Sequence, residues 1–297
     1  MTDGSTRRTW PGCSLLAEAA GDPSEGTAPP AQQWLLLEHP GPWARIALAS
    51  PGFDPASVAV LGDWAETERA RIVLVRRPGR AGQVTGPRRW FRVDSRPGRE
   101  GIRTGTWDTG TGAACAVTEP GDPYDGRLAL VCAHGKHDPC CAVRGRPLAA
   151  SLAAADPEGT WECTHIGGCR FAPALVLLPH GFTYGEVGDD VGAGIVRDYA
   201  GDVVRPELLR GRSCLAPAVQ AAQVFARSAT GTLGVDGLQV TGSASSDTTG
   251  EHLWQVGFTG PDCTTTIRER YVEVDRPLTC AGRPHGRMRI FDDLGTV

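Results

Sequence analysis

The chain is expected to fold as an α/β (α+β) protein: a central α/β unit, an α/β region before it and a small α+β extension after it. Three observations carry this expectation. Between about residues 126 and 205, short apolar runs of strand length alternate with an Ala- and Leu-rich helical stretch. In residues 1–125, strand-like and helix-like segments also alternate, separated by Gly/Pro turns such as Pro78-Gly79 and Pro97-Gly98. In residues 206–297, one helical segment leads into several stretches of alternating apolar and polar residues, the pattern of half-buried strands. With 297 residues, 40% of them hydrophobic and 22% charged, the chain has material for one large core or two to three small ones.

The elements follow in order. In the first region, the runs 34–38 and 71–75 and the alternating stretch 89–93 read as strands, with helical content over 54–69. In the second, 128–131 is a short buried-type strand, 142–155 a helix stopped by Asp156-Pro157, and 161–164 a second strand. Segments 174–178 and 182–187, joined at Pro179-His180-Gly181, read as a β-hairpin. Asp189 and Asp190 then open a last helix through Tyr199, acidic where the helix dipole favours it. This β-loop-α-β-loop-β-β-α order is that of a thioredoxin-like unit, and the first region reads as a degenerate copy of it. Pro173 stands where such folds place a cis-proline. In the third region a helix over 217–227 precedes strands at 238–241, 253–258, 267–274 and 288–291. No chemistry is read there, Cys263 and Cys280 being taken as small buried hydrophobes.

Chemistry concentrates in two loops of the central unit. Cys132 and Cys141 lie in Cys-Ala-His-Gly-Lys-His-Asp-Pro-Cys-Cys, directly after the first strand, and His165 and Cys169 in His-Ile-Gly-Gly-Cys-Arg, after the second. Three thiols and an imidazole are metal ligands of the soft to borderline kind. Five of the ten cysteines fall between 132 and 169, and in a reducing compartment cysteines serve as thiols or ligands more than as disulfides. Asp138-Pro139 and His134-Gly135 supply turn chemistry for the wide Cys-x8-Cys loop. Gly167 and Gly168 permit positive φ and a close backbone approach, and Arg170 adds a positive charge beside the last donor. Cys140 is the alternative to Cys141 as donor; His134 and His137 read as loop-stabilising, and Cys163 as core.

These residues carry a resemblance. The run Cys132 to Cys141, followed by Gly145-Arg-Pro-Leu, and then His165-Ile-Gly-Gly-Cys-Arg-Phe-Ala-Pro173, resembles the sucrase/ferredoxin-like family, which is similar in topology to thioredoxin-like [2Fe-2S] ferredoxins. The likeness is sharp over about 127–187. It implies a [2Fe-2S] cluster held with Cys132 and Cys141 on one iron and His165 and Cys169 on the other, with Gly167, Gly168 and Arg170 around it. Members of the family often carry histidine at the last position and thioredoxin-like ferredoxins cysteine at both, so Cys169 makes this chain a three-cysteine, one-histidine variant. Exchanging two cysteines for histidines, as in Rieske centres, raises potentials from roughly −400 mV to about −150 to +300 mV; an intermediate potential is expected here, with proton coupling through His165.

The function implied is one-electron transfer with redox partner proteins, a flavin-containing reductase being a reasonable donor. The same donor types also suit structural zinc in a non-redox interaction module. Other classes fare worse. A net charge of −4 without a basic run argues against nucleic-acid binding. No Cys-x-x-Cys marks a thiol–disulfide enzyme, and no carboxylate pair is singled out for sucrose hydrolysis. The first ten residues are polar and lead into no signal-length apolar stretch, and no window is long and apolar enough for a membrane span. A cytoplasmic location is expected.

Overall fold

The computed structural model describes residues 12–79, 86–248 and 250–297. The polar N-terminal stretch considered above for a signal sequence lies outside the described residues. The helices are α1 (Cys13–Ala20), α2 (Pro55–Thr67), α3 (Cys115–Thr118), α4 (Pro139–Ala155), α5 (Asp189–Ala200) and α6 (Pro217–Thr230). Ten strands form one mixed sheet: β1 (Gln33–Glu38), β2 (Ala70–Arg76), β3 (Arg88–Asp94), β4 (Gly101–Trp107), β5 (Asp122–Pro123), β6 (Leu128–Cys132), β7 (Thr160–Cys163), β8 (Leu175–Leu178), β9 (Phe182–Tyr184) and β10 (Leu209–Arg212). Their order across it is β10-β9-β8-β6-β7-β2-β1-β3-β4-β5.

Within this sheet the central unit has the expected topology. β6 and β7 are parallel and connected through α4, β8 is antiparallel to β6, and β9 is antiparallel to β8. This is the thioredoxin-like arrangement, and the Ala172–Pro173 bond is cis. The same order recurs upstream. β1 and β2 are parallel and connected through α2, β3 is antiparallel to β1, and β4 to β3. The two units meet edge to edge where β2 pairs antiparallel with β7, Val75 opposite Cys163 and Arg76 opposite Glu162.

Strand alternation divides the core. Leu128, Leu130 and Cys132 of β6 face one side together with Trp34 and Leu36 of β1, Val73 and Val75 of β2, and Trp161. Ala129 and Val131 face the other side and pack with Leu148 and Leu152 of α4 and Ile195 and Tyr199 of α5. Leu35 and Leu37 of β1 pack with Leu61, Trp90 and Trp107. The face bearing Cys132 is therefore common to both units, and the donor loops lie on a core shared across the seam.

The last region is a four-stranded antiparallel meander of β11 (Gln239–Thr248), β12 (Glu251–Thr259), β13 (Cys263–Val274) and β14 (Gly286–Thr296), with α6 packed on it through Ala218, Ala222 and Ala226. Its strands run longer than the alternating cores read from sequence. Among the described residues, no helix is long and apolar enough to cross a membrane.

Candidate metal centre

Cys132 is the last residue of β6, so its thiol leaves the sheet at the mouth of the loop 133–138. Asp138 ends that loop by accepting the Cys140 amide at 2.9 Å, with Pro139 at the first helical position, a favoured helix start. This start precedes the one read from sequence and places Cys140 and Cys141 in the first turn of α4. Gly145, on the next turn, presses on the Cys132 carbonyl: a Cβ there would lie 2.1 Å from that oxygen. A glycine is required for α4 to sit so close to the donor strand.

His165 follows β7 in the same way. Gly167 and Gly168 then turn the chain with φ of 97° and 73°, values that favour glycine, and Cys169 opens a single 3₁₀ turn through Phe171. A Cβ on Gly168 would fall 2.2 Å from Nη2 of Arg210. Among the described residues, the amides of Gly167 and Gly168 donate to no backbone carbonyl.

The four donors read from sequence come together. Cys141 links the two loops, its thiol lying within 4.8 Å of both the Cys132 thiol and the Cys169 thiol. Cys169 Sγ lies 3.4 Å from His165 Nδ1, which closes the ring. The ligand atoms of Cys132, Cys141 and His165 fall within 4.8 Å of one another. Cys132, Cys141 and Cys169 are buried, and His165 is the partly exposed member.

The ring is polarised by its own members. The neighbouring Cys141 thiol holds the Cys132 thiol well below its ordinary pKa against the cost of burial, and His165 adds to this. Cys141 and His165 lower Cys169 likewise, with burial and Asp138 opposing. Cys141, between the two, is pushed up. Burial would lower His165, but the thiolates of Cys132 and Cys169 outweigh it and raise the imidazole to about 9. The same shifts favour a protonated imidazole, so a metal ion entering the ring would have to displace protons from His165 as well as from the thiols.

The surroundings fix the ring. His134 Nδ1 accepts the His165 amide at 3.3 Å, and Trp43 of the upstream unit meets His134 edge-on at 5.8 Å. His137 stacks on His165 with centroids 3.6 Å apart. Arg170 pairs with Asp22 at 3.5 Å and lies over Phe171. A second arginine, which sequence reasoning did not single out, completes the site. Arg210 on β10 is fully buried, donates to the Gly167 carbonyl at 3.3 Å and to Thr27 Oγ1 at 3.0 Å, and feels the charges of Cys169, Cys132 and Cys141. Desolvation lowers its guanidinium to about 9, the thiolates working against that fall. In sequence, Leu-Arg-Gly-Arg gives no sign of a buried strand.

One expectation is corrected. Cys280 does not pack as a hydrophobe in the C-terminal core; it lies 3.3 Å from Cys140 and 3.6 Å from Cys13, sulfur to sulfur. The two adjacent cysteines therefore face different neighbours, Cys141 the donor ring and Cys140 this second cluster.

The pattern that defines the sucrase/ferredoxin-like family matches residues 25–211. The chain belongs to the sucrase/ferredoxin-like family. The sucrase/ferredoxin-like match spans both units of the ten-stranded sheet, with both donor loops, and stops short of α6 and the C-terminal meander. No curated protein matches the chain. Among solved structures, it is similar to the Cys55Ser variant of the thioredoxin-like [2Fe-2S] ferredoxin from Aquifex aeolicus, at 22% identity over 28% of this chain and 97% of that one, with a TM-score of 0.25.

Proposed function

We propose that this member of the family is a [2Fe-2S] electron carrier, with Cys132 and Cys141 holding one iron and His165 and Cys169 the other. The observation that carries this reading is that the two loops bring four candidate donors together, Cys132 and Cys141 within 4.8 Å of each other and of His165, and Cys169 3.4 Å from the His165 ring. The donor types fit such a cluster, and the family pattern covers both loops. When bound, the cluster takes up and returns one electron.

The chain's own residues supply the rest. Cys132, Cys141 and Cys169 are shielded from water, which strengthens every charge interaction around them. The Gly167 and Gly168 amides are free to donate to sulfur, and Arg210 holds a fixed positive charge beside the thiolates. His165, the partly exposed donor, marks the edge at which a redox partner protein would exchange electrons; a flavin-containing reductase is a suitable donor. A cytoplasmic setting suits its thiols.

A second reading has an observation of its own. The ligand atoms of Cys132, Cys141 and His165, within 4.8 Å of one another, could also share a single ion, with Cys169, 3.4 Å from the His165 ring, completing a Cys3His zinc site in an interaction module. Anaerobic purification separates the two. A coloured protein with two irons and two acid-labile sulfides per chain is expected; a colourless protein with zinc in the ring overturns the electron-carrier reading.

A further inference from the structure

We infer that Cys13, Asp138, Cys140 and Cys280 form a second metal site, adjoining the donor ring at Asp138, that binds one zinc ion and ties three remote segments together. The four ligand atoms all lie within 4.8 Å of one another. Cys140 Sγ is 3.3 Å from Cys280 Sγ, Cys280 Sγ is 3.6 Å from Cys13 Sγ, and Cys13 Sγ is 3.6 Å from Asp138 Oδ2. A tetrahedral ion with zinc–sulfur bonds of about 2.3 Å and a zinc–oxygen bond of about 2.0 Å has edges of roughly 3.5–3.8 Å, so the cluster already has the dimensions of its ligand shell. Three thiols and a carboxylate select zinc over calcium or magnesium, which want oxygen throughout.

The supporting contacts are those of a built site. Both Asp138 oxygens accept backbone amides, Oδ1 from Cys140 and Oδ2 from Cys280, each at 2.9 Å, which fixes the carboxylate against the sulfurs. The Cys13 amide donates to Cys280 Sγ at 3.5 Å. Cys13, Asp138 and Cys140 are buried, while Cys280 is partly exposed at a cavity of about 470 Å³ lined by Gly12, Leu15, Val143 and Cys140, which gives an ion its way in. Cys280 stands between two sulfurs, so a disulfide to either would leave the remaining thiol outside the bond.

The segments joined are far apart in sequence. Cys13 opens α1, Asp138 and Cys140 open α4, and Cys280 sits in the connection between β13 and β14. Zinc binding forms three zinc–sulfur bonds and one zinc–oxygen bond and releases the three thiol protons to solvent. The N-terminus of α4 and the nearby Arg170 offset the resulting negative charge. The Cys140-Cys141 pair then divides its labour, one sulfur to each centre.

Zinc, iron and sulfide counts on the full chain test this, with Cys13→Ser and Cys280→Ser beside Cys132→Ser and Cys169→Ser. The expected result is one zinc per chain in the unsubstituted protein, lost in the first two variants with iron and the visible spectrum retained, and kept in the last two as iron is lost. Should the ring itself hold zinc, the unsubstituted protein contains two zinc ions and no iron, and Cys13→Ser lowers the count to one. That result sinks the electron-carrier reading and upholds this site. If the variants do not fold, zinc-edge X-ray absorption of the unsubstituted protein reads three sulfurs and one oxygen around the ion. A zinc count unmoved by Cys13→Ser and Cys280→Ser, no zinc beyond that of the ring, or a disulfide among Cys13, Cys140 and Cys280 overturns the proposal.

Discussion

In the downstream unit of the large sheet, the strand before the first helix ends on Cys132 and the helix starts at Asp138-Pro139; in the upstream unit the matching strand ends on Glu38 and the helix starts at Asp54-Pro55. Both aspartates cap their helix with a carboxylate oxygen, Asp138 taking the Cys140 amide two residues on at 2.9 Å and Asp54 the Ser57 amide three residues on at 2.8 Å. The second strands end on Cys163 and on Arg76, and Arg76 bonds Glu162 at 2.6 Å across the seam. What separates the units is their loops. Residues 133–138 form a tight turn that returns Cys141 to Cys132, whereas residues 39–54 form a longer excursion that carries Trp43 over to His134. One topology thus serves in one copy as a donor frame and in the other as a wall for it. The backbone order alone does not make a site; the residues at two strand ends and one helix start do.

The largest way to break this contrast is to exchange donors. Cys132→Ser or Cys141→Ser is expected to remove essentially all bound iron, while His39→Gln, at the matching loop of the upstream unit, leaves the iron content unchanged. Iron analysis of the purified variants checks both halves of that statement.

Next in size is the cooperativity of the shared core. Trp34 and Trp161 are both fully buried on the common face. Each replaced by alanine is expected to cost about 3–5 kcal/mol, in one unfolding transition seen alike by circular dichroism and tryptophan fluorescence. Two separated transitions would mean that the units fold independently despite the β2–β7 pairing.

Arg210 sharpens the electrostatic side. Its replacement by methionine removes a buried positive charge next to the thiolates, which disfavours the more negative reduced state and lowers the reduction potential. The shift should be plain in spectroelectrochemical titration, and Arg210→Lys should restore part of it. His165→Cys should move the potential the same way, since a thiolate replaces a neutral ring.

The smallest expected effect is the pH response of two buried histidines. Burial holds His39 below its ordinary value, with Arg88 adding to this and the Pro51 carbonyl opposing it. Burial likewise holds His180 low, with Arg212 and Arg127 adding and Glu100 and Asp236 opposing. At these two positions the unfolded chain therefore binds protons that the folded one refuses, so their contribution to stability is full above pH 6.5 and falls as pH drops below it. The fall is at most about 1.4 kcal/mol per pH unit for each histidine. Denaturant melts from pH 7 to 5 should show it, and His39→Gln with His180→Gln should flatten it.

Much of this was legible in the sequence where local signals were strong. Apolar runs at 128–131 and 174–178 marked β6 and β8, and the spacing of Cys132, Cys141, His165 and Cys169 picked out four candidate donors that the fold brings together. Other parts had no local signal. β4 reads Gly-Ile-Arg-Thr-Gly-Thr-Trp and buries only Ile102 and Trp107, too thin an alternation to mark a strand. β10 hides two arginines, Arg210 and Arg212, in residue types that ordinarily mean surface. Cys280 is 142 residues from the carboxylate whose oxygen its amide meets, and no spacing rule spans that distance.

Pulsed EPR of the dithionite-reduced protein bears most directly on the donor ring. A signal from a reduced [2Fe-2S] cluster, coupled to the nitrogen of one imidazole and losing that coupling in His165→Cys, is the expected result. An EPR-silent protein, or a coupling to two imidazoles that survives His165→Cys, would contradict the three-cysteine, one-histidine centre.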